Sequence, residues 1–246
     1  MKFAATLVLV VAAVVIHAQS LQAHYDFRKS LEPKYNAKDF VTLYFHYFKS
    51  QDIDSAIISP GSFLMTMQGD LVGERDAIGR FYMQVSQSAR FWTPKVFLSI
   101  QYSGGFGVSE PGSYGYYLAN TYSVGVSYLF SWGEAPFSVS VSYMRSAARK
   151  PGNDVLCSLY WWSGFWQYRA EFLGDIQMWT QDRDRGDNFT AGMHGKRIAV
   201  YAEPQLWYSL GSSIAVGSKI NMYYLVLTSD HVVQVYPTLA VKYKLN

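Results

Sequence analysis

Cysteine is nearly missing: Cys157 is the single one in 246 residues, so no internal disulfide can form. No set of Cys and His has zinc-site spacing, and neither a metal nor a cofactor is expected. Charge of one sign is missing too. Lys and Arg number 21 against 18 Asp and Glu, a balance that gives no reason to expect a nucleic-acid partner. Beyond the N-terminus no stretch approaches the roughly 18 continuous apolar residues of a membrane-crossing helix. Linkers, low-complexity tracts and amphipathic helical domains are absent as well. The run "GGFG" (104–107) has no strand–turn–helix context, so it reads as loop rather than as a nucleotide fingerprint. The sequon "NFT" (188–190) carries little weight alone.

What is present begins with "MKFAATLVLVVAAVVIHA", residues 1–18: Lys2, an apolar run from Ala4 to Ile16, and small Ala18. This is the layout of a secretory signal peptide, too short for an ordinary spanning helix. The mature chain is expected to start near Gln19 and to form one domain over 19–246. Export without a disulfide framework fits the bacterial envelope. Aromatic residues make up 17% of the chain, with 20 Tyr, 15 Phe and 7 Trp.

Apolar and polar residues alternate along most of the remainder. "FSVSVSYMRS" (137–146) sets Phe137, Val139, Val141 and Tyr143 against Ser138, Ser140 and Ser142, a period-two pattern rich in β-branched and aromatic residues. About twelve such segments follow one another: near 21–28, 39–49, 62–71, 79–92, 95–103, 115–131, 136–147, 154–163, 166–180, 196–208, 213–226 and 233–245. Tight connections at Thr93-Pro94, "WGEAP", "SGF" and "LGS" alternate with longer "GFGVSEPGSYG", "AARKPGND" and "DRDRGDNFTAGMHG". The stretch "SQDIDSAIISPG" (50–61) is long at the short-turn end and breaks the rule. The expected fold is all-β: a closed antiparallel transmembrane β-barrel of about 12 strands, with short periplasmic turns and longer extracellular loops.

Alternation alone does not say which face is inside. A twelve-stranded barrel is wider than side chains alone fill, so an inward apolar face would enclose an oily void. The segment "YRAEFLGDIQMW" (168–179) fits lipid outside and water inside: Phe172, Ile176 and Met178 outward, Arg169, Glu171, Asp175 and Gln177 inward. Trp92, Trp132, Trp166 and Trp207 cluster near the tight turns, as expected of an interfacial girdle. Parity places Asp26, Arg28, His46, Asp70, Arg90, Arg169, Glu171, Asp175, Arg197, Glu203, Lys219 and Lys242 in the lumen. The inward aromatics are Tyr44, Phe48, Tyr82, Phe97, Tyr160, Tyr201 and Tyr223. Mixed signs exclude a simple anion or cation filter. Outer-membrane lipid and a small polar solute are the expected partners.

No enzyme is expected. A barrel lipid hydrolase needs a Ser activated by His, and none of His24, His46, His194 and His231 opens a His-x-Ser pattern. A structural or receptor-type barrel without solute flux is the first alternative, and a barrel lipid hydrolase the lesser one.

The segments "HYDF" (24–27), "TLYFHYF" (42–48), "FYMQVSQSARF" (81–91) and "YYLANTYSVGVSYLF" (116–130), with the terminal strand, resemble Tsx-like nucleoside-specific outer-membrane channels or an uncharacterised family of barrels allied to them. That resemblance implies a narrow, monomeric twelve-stranded pore passing nucleosides along aromatic and ionisable lumen sites. Tyr44, Tyr82, Arg90, Glu171, Asp175, Tyr201 and Glu203 are then the expected substrate-binding residues, with rings stacking on the base and charged groups bonding the ribose.

Overall fold

A computed structural model describes residues 19–49, 59–90, 92, 96–109, 114–147, 150–186, 188 and 190–245. The expected signal peptide, the Thr93-Pro94 turn and residues 50–58 of the unexplained stretch lie outside the described residues.

Thirteen strands run in order: β1 (Gln19–Asp26), β2 (Phe40–Lys49), β3 (Ser59–Asp70), β4 (Arg80–Arg90), β5 (Val96–Ser109), β6 (Tyr114–Trp132), β7 (Ala135–Ser146), β8 (Asn153–Phe165), β9 (Ala170–Asp182), β10 (Lys196–Ala202), β11 (Gln205–Ser209), β12 (Ile214–Tyr224) and β13 (Val233–Leu245). Sequence neighbours pair antiparallel, except β10 with β11, and β13 pairs with β1 from Gln19↔Leu245 to Asp26↔Thr238, which closes the sheet. Strands β10 and β11 both lie between β9 and β12 and keep one register on each side. They are two halves of one crossing, so the barrel has twelve. Closure leaves no open edge.

The break between the halves is Glu203-Pro204. Proline has no N–H to give the ladder, so a strand interior tolerates it only with local interruption. Glu203 N still donates to Asp175 O and Ile220 N to Pro204 O, each at 3.0 Å, which bridges the gap. Gly174 faces Pro204. A Cβ there would meet Glu203 O and Pro204 Cα at 2.8 Å, so only glycine permits this approach of β9 to the break.

The faces separate as parity requires. Val141 (51% exposed), Leu239 (65%), Ile100, Val124 and Leu206 form an apolar outer surface. Ser88, Ser103, Ser123, Ser127, Ser142 and Ser158 are buried inside along β4–β8, while most of the buried charged residues lie on or beside β9–β13 and β1–β3, with Arg90 on β4 and Asp154 on β8 as exceptions. An apolar band this continuous exceeds what a protein facing water carries.

Several sequence-based expectations need correction. "GGFG" is not a loop; it lies in β5, where the register against β6 shifts between Ser103 and Gly105. β8 runs through "SGF" to Phe165, and the chain turns at 166–169 instead. Trp166, Gln167 and Tyr168 take φ of 50°, 57° and 63° there, a conformation uncommon for residues with side chains. Arg169 N donates to Trp166 O at 3.2 Å, and the Tyr168 ring stacks on Trp162 at 5.8 Å. Arg169 therefore sits exposed in a turn, not in the lumen. Trp132 (82% exposed) and Trp166 (75%) fit the girdle; Trp207 (1%) does not, because it points into the lumen.

Candidate functional site

Among the described residues, most of the lumen's ion pairs fall in three tiers. Nearest the long loops, Arg28 Nη2 lies 2.6 Å from Asp26 Oδ2, and Arg80 Nη2 lies 3.1 Å from Asp70 Oδ2. At mid-height Lys219 Nζ lies 3.0 Å from Glu203 Oε2. Toward the short turns Glu171 is clasped by Lys242 Nζ and Lys244 Nζ, both at 2.6 Å. A ring face accompanies a cation in each tier: Phe40 at 4.7 Å from the Arg28 guanidinium, Tyr44 at 4.6 Å from Lys219 Nζ, Trp207 at 4.7 Å from Lys242 Nζ. The ring quadrupole attracts the cation and is worth most where water is excluded.

The middle tier is the constriction. The interrupted strand presents Glu203 directly opposite Asp175, with both carboxyls facing inward. Tyr201 Oη donates to Glu203 Oε2 at 2.5 Å, and Tyr44 Oη reaches Glu203 Oε1 at 3.4 Å from β2, across the lumen. A second crossing joins β4 to β8, where Gln84 Nε2 donates to Tyr160 Oη at 3.1 Å; within β9, Gln177 Nε2 donates to Asp175 Oδ2 at 2.8 Å. Below them His24 sits 2.8 Å from Gln22 Oε1 and 3.1 Å from Thr238 Oγ1, with its ring edge-on to Trp207 at 5.7 Å. Lys219, His24 and Trp207 are each 1% exposed, so this level is filled by side chains.

At the long-loop mouth the β1–β2 connection, residues 27–39, forms a strap that includes the short helix α1 (Arg28–Leu31). Asn36 Nδ2 donates to Tyr236 Oη at 3.1 Å, and Tyr236 Oη donates to Glu32. Tyr35 Oη donates to Asp230 Oδ2 at 2.9 Å, and Lys38 Nζ lies 3.3 Å from Asp76 Oδ1, so the strap touches two other loops. At its end Asp39 accepts from the Ser30 hydroxyl and amide; the hydroxyl is the main cause holding its carboxyl below the ordinary range.

Of the seven residues expected to bind solute, Tyr44, Asp175, Tyr201 and Glu203 meet at the constriction, and Tyr82 is a lumen residue of β4. Arg90 lies elsewhere, its guanidinium 5.6 Å over the Phe97 ring, and Glu171 belongs to the short-turn tier. Sequence parity placed Lys219 inside but did not single it out. His24, Trp207 and Tyr236 were not expected in the lumen, although parity on β1 and β13 puts His24 and Tyr236 on its inward face.

The chain belongs to a family described as a domain of unknown function (DUF5020), matched over residues 18–245. Comparison with curated proteins finds no match. Among solved structures it is similar to a NanC porin, with 10% identity, 93% of this chain and 100% of that one covered, and a TM-score of 0.49. A porin refined at 1.8 Å resolution shares 14% identity over 86% of this chain and 64% of its own, with a TM-score of 0.39. The outer-membrane protein Omp33 of Acinetobacter baumannii shares 12% over 92% and 97%, with a TM-score of 0.37.

Proposed function

Proceeding from a closed twelve-stranded barrel of this family of unknown function, we propose that the protein is a narrow outer-membrane channel for small polar solutes, held closed at rest by its own lumen side chains. The observation that carries this reading is the inverted polarity of the barrel. Its apolar surface points outward, where only lipid satisfies it, and its interior holds ion pairs, amides and tyrosine hydroxyls in place of an apolar core. Strand closure satisfies the backbone groups that lipid cannot.

A solute moving through this lumen exchanges hydrogen-bond partners with the wall level by level. Each tier is already internally paired, so binding at any one stays modest, which transit requires. Nucleosides are the solute class implied by the resemblance. Tyr44, Tyr82 and Tyr201 offer ring faces for a base, but the Tyr44 and Tyr201 hydroxyls are already engaged by Glu203. Of the histidines, His24 contacts Gln22 and Thr238, His46 stacks on Tyr44, and His231 bonds Tyr224.

A barrel without flux is the second reading, favoured by the 1% exposure of Lys219 at the constriction. Planar-bilayer recording of the purified chain separates the two. The channel reading expects small, discrete conductance steps that increase when the strap is loosened; a silent protein under both conditions supports the structural barrel.

A further inference from the structure

We infer that the solutes this lumen favours are small zwitterions, molecules of the α-amino-acid type that carry an ammonium and a carboxylate close together. The inference rests on the channel reading above and narrows it to a substrate class.

The lumen is built from a repeated unit. Each tier holds a cation, a carboxylate and a ring face: Arg28, Asp26 and Phe40; Lys219, Glu203 and Tyr44; Lys242, Glu171 and Trp207. These groups are dry, with Asp26 and Lys219 each 1% exposed. A buried ion pair is tolerable while paired, and removing one partner leaves an uncompensated charge, which is strongly unfavourable. Any solute that squeezes past must separate or perturb the pairs.

Solutes differ in what they give back. A neutral sugar supplies hydroxyl dipoles to both parted charges but no charge. A monoanion satisfies Lys219 and leaves Glu203 bare; a monocation does the reverse. A compact zwitterion supplies both at once: its carboxylate takes the lysine, its ammonium takes the glutamate, and no net charge is added to the lumen. The ring faces offer the ammonium a second resting place, since a cation over an aromatic face is attracted by its quadrupole. Because the same unit recurs at three heights, the exchange can repeat along the barrel.

Charge balance along the wall supports the same class. Taken over the three tiers, Arg28, Arg80, Lys219, Lys242 and Lys244 stand against Asp26, Asp70, Asp175, Glu203 and Glu171, with the surplus carboxylate at mid-height and the surplus lysine toward the short turns, so the tiers together draw neither anions nor cations alone. The short-turn tier carries two lysines on Glu171, and its spare positive charge gives a solute carboxylate a place to bind without displacing the first pair.

Alanine and lactamide are isomers of one formula, the first a zwitterion and the second uncharged, so size does not separate them. Liposomes containing the full chain would be swollen in each, with protein-free liposomes subtracted and potassium conductance recorded on the same preparation. Alanine is expected to enter several-fold faster than lactamide, and acetate or ethylammonium more slowly than alanine. Removing both partners of the middle pair, Glu203→Gln with Lys219→Gln, should lower the alanine preference while the barrel still shows heat-modifiable migration. The single-tier removal at Glu171→Gln with Lys242→Gln gives a second, independent variant if the first fails to fold. Lactamide entering as fast as alanine through a conducting wild-type protein would overturn the zwitterion inference and leave the channel standing. A preference unchanged in a folded double variant would overturn it too. A protein that passes neither solute nor potassium, both as wild type and with the strap loosened by Tyr236→Phe, would sink the channel reading itself, and this inference with it.

Discussion

Substituting Lys219→Met tests how the constriction is held together. Lys219 Nζ is 3.0 Å from Glu203 Oε2 and 4.6 Å from the Tyr44 ring, and the residue is 1% exposed. Methionine fills a similar volume but leaves Glu203 buried opposite Asp175 without its cation. Breaking a buried pair in this way costs about 3–5 kcal/mol. The Tyr201 and Tyr44 hydroxyls still reach Glu203, which argues for the lower end, about 3 kcal/mol. Adding Glu203→Gln removes the stranded charge and keeps an acceptor for both tyrosines, so the double variant should recover most of the loss. The assay is urea unfolding in lipid vesicles, followed by tryptophan fluorescence and by the shift in gel migration between folded and unfolded barrel. A single variant that loses less than about 1 kcal/mol, the range of an exposed pair, would refute the buried-pair reasoning. So would a double variant no more stable than the single.

The outer face makes the next prediction. Val139→Arg or Val200→Arg should destabilise the barrel by about 2–4 kcal/mol near the bilayer midplane, whereas Ser140→Arg, on the lumen face, should fold and change conductance; the same vesicle unfolding curves compare them. Gly174→Ala should lose about 1–3 kcal/mol, because its new Cβ meets backbone atoms that cannot rotate away; differential scanning of heat-modifiability reads it. Tyr236→Phe removes the hydroxyl shared by Glu32, Asn36 and Gln234, so strap opening and mean conductance should rise while stability falls by only about 1 kcal/mol; bilayer recording and unfolding together check both halves.

Strand number and facing were legible because period-two alternation survives every local detail. Ser140 and Val141 can be assigned to opposite faces from their neighbours alone, and the structure puts them there. Turns were less legible. The "SGF" turn looked right because glycine commonly marks one, yet Gly164 lies in β8 beneath the Tyr168 ring, and the reversal falls on three residues with side chains. "GGFG" misled for the same reason: glycines at a register shift inside β5 look in sequence like glycines in a loop. Trp207 was assigned to the girdle from its nearness to a turn, but strand parity outranks height, and it shares the inward face with Gln205. The constriction was half visible. Parity put Asp175, Glu203, Tyr44, Tyr201 and Lys219 inside; which of them meet depends on the stagger of strands far apart in sequence, which no single strand records. Tyr44 reaching Glu203 across 159 positions is that kind of contact.

The central claim is that lipid touches one face of the sheet and a polar lumen the other. Single-cysteine spin labels placed in turn at Val139, Ser140, Val141 and Ser142, in a Cys157→Ser background, read this along β7 in lipid vesicles. Oxygen, which partitions into lipid, should relax the labels at 139 and 141 more strongly, and a water-soluble nickel chelate should favour those at 140 and 142. Labels that fail to alternate between the two reagents, or that alternate in the opposite phase, would contradict the account.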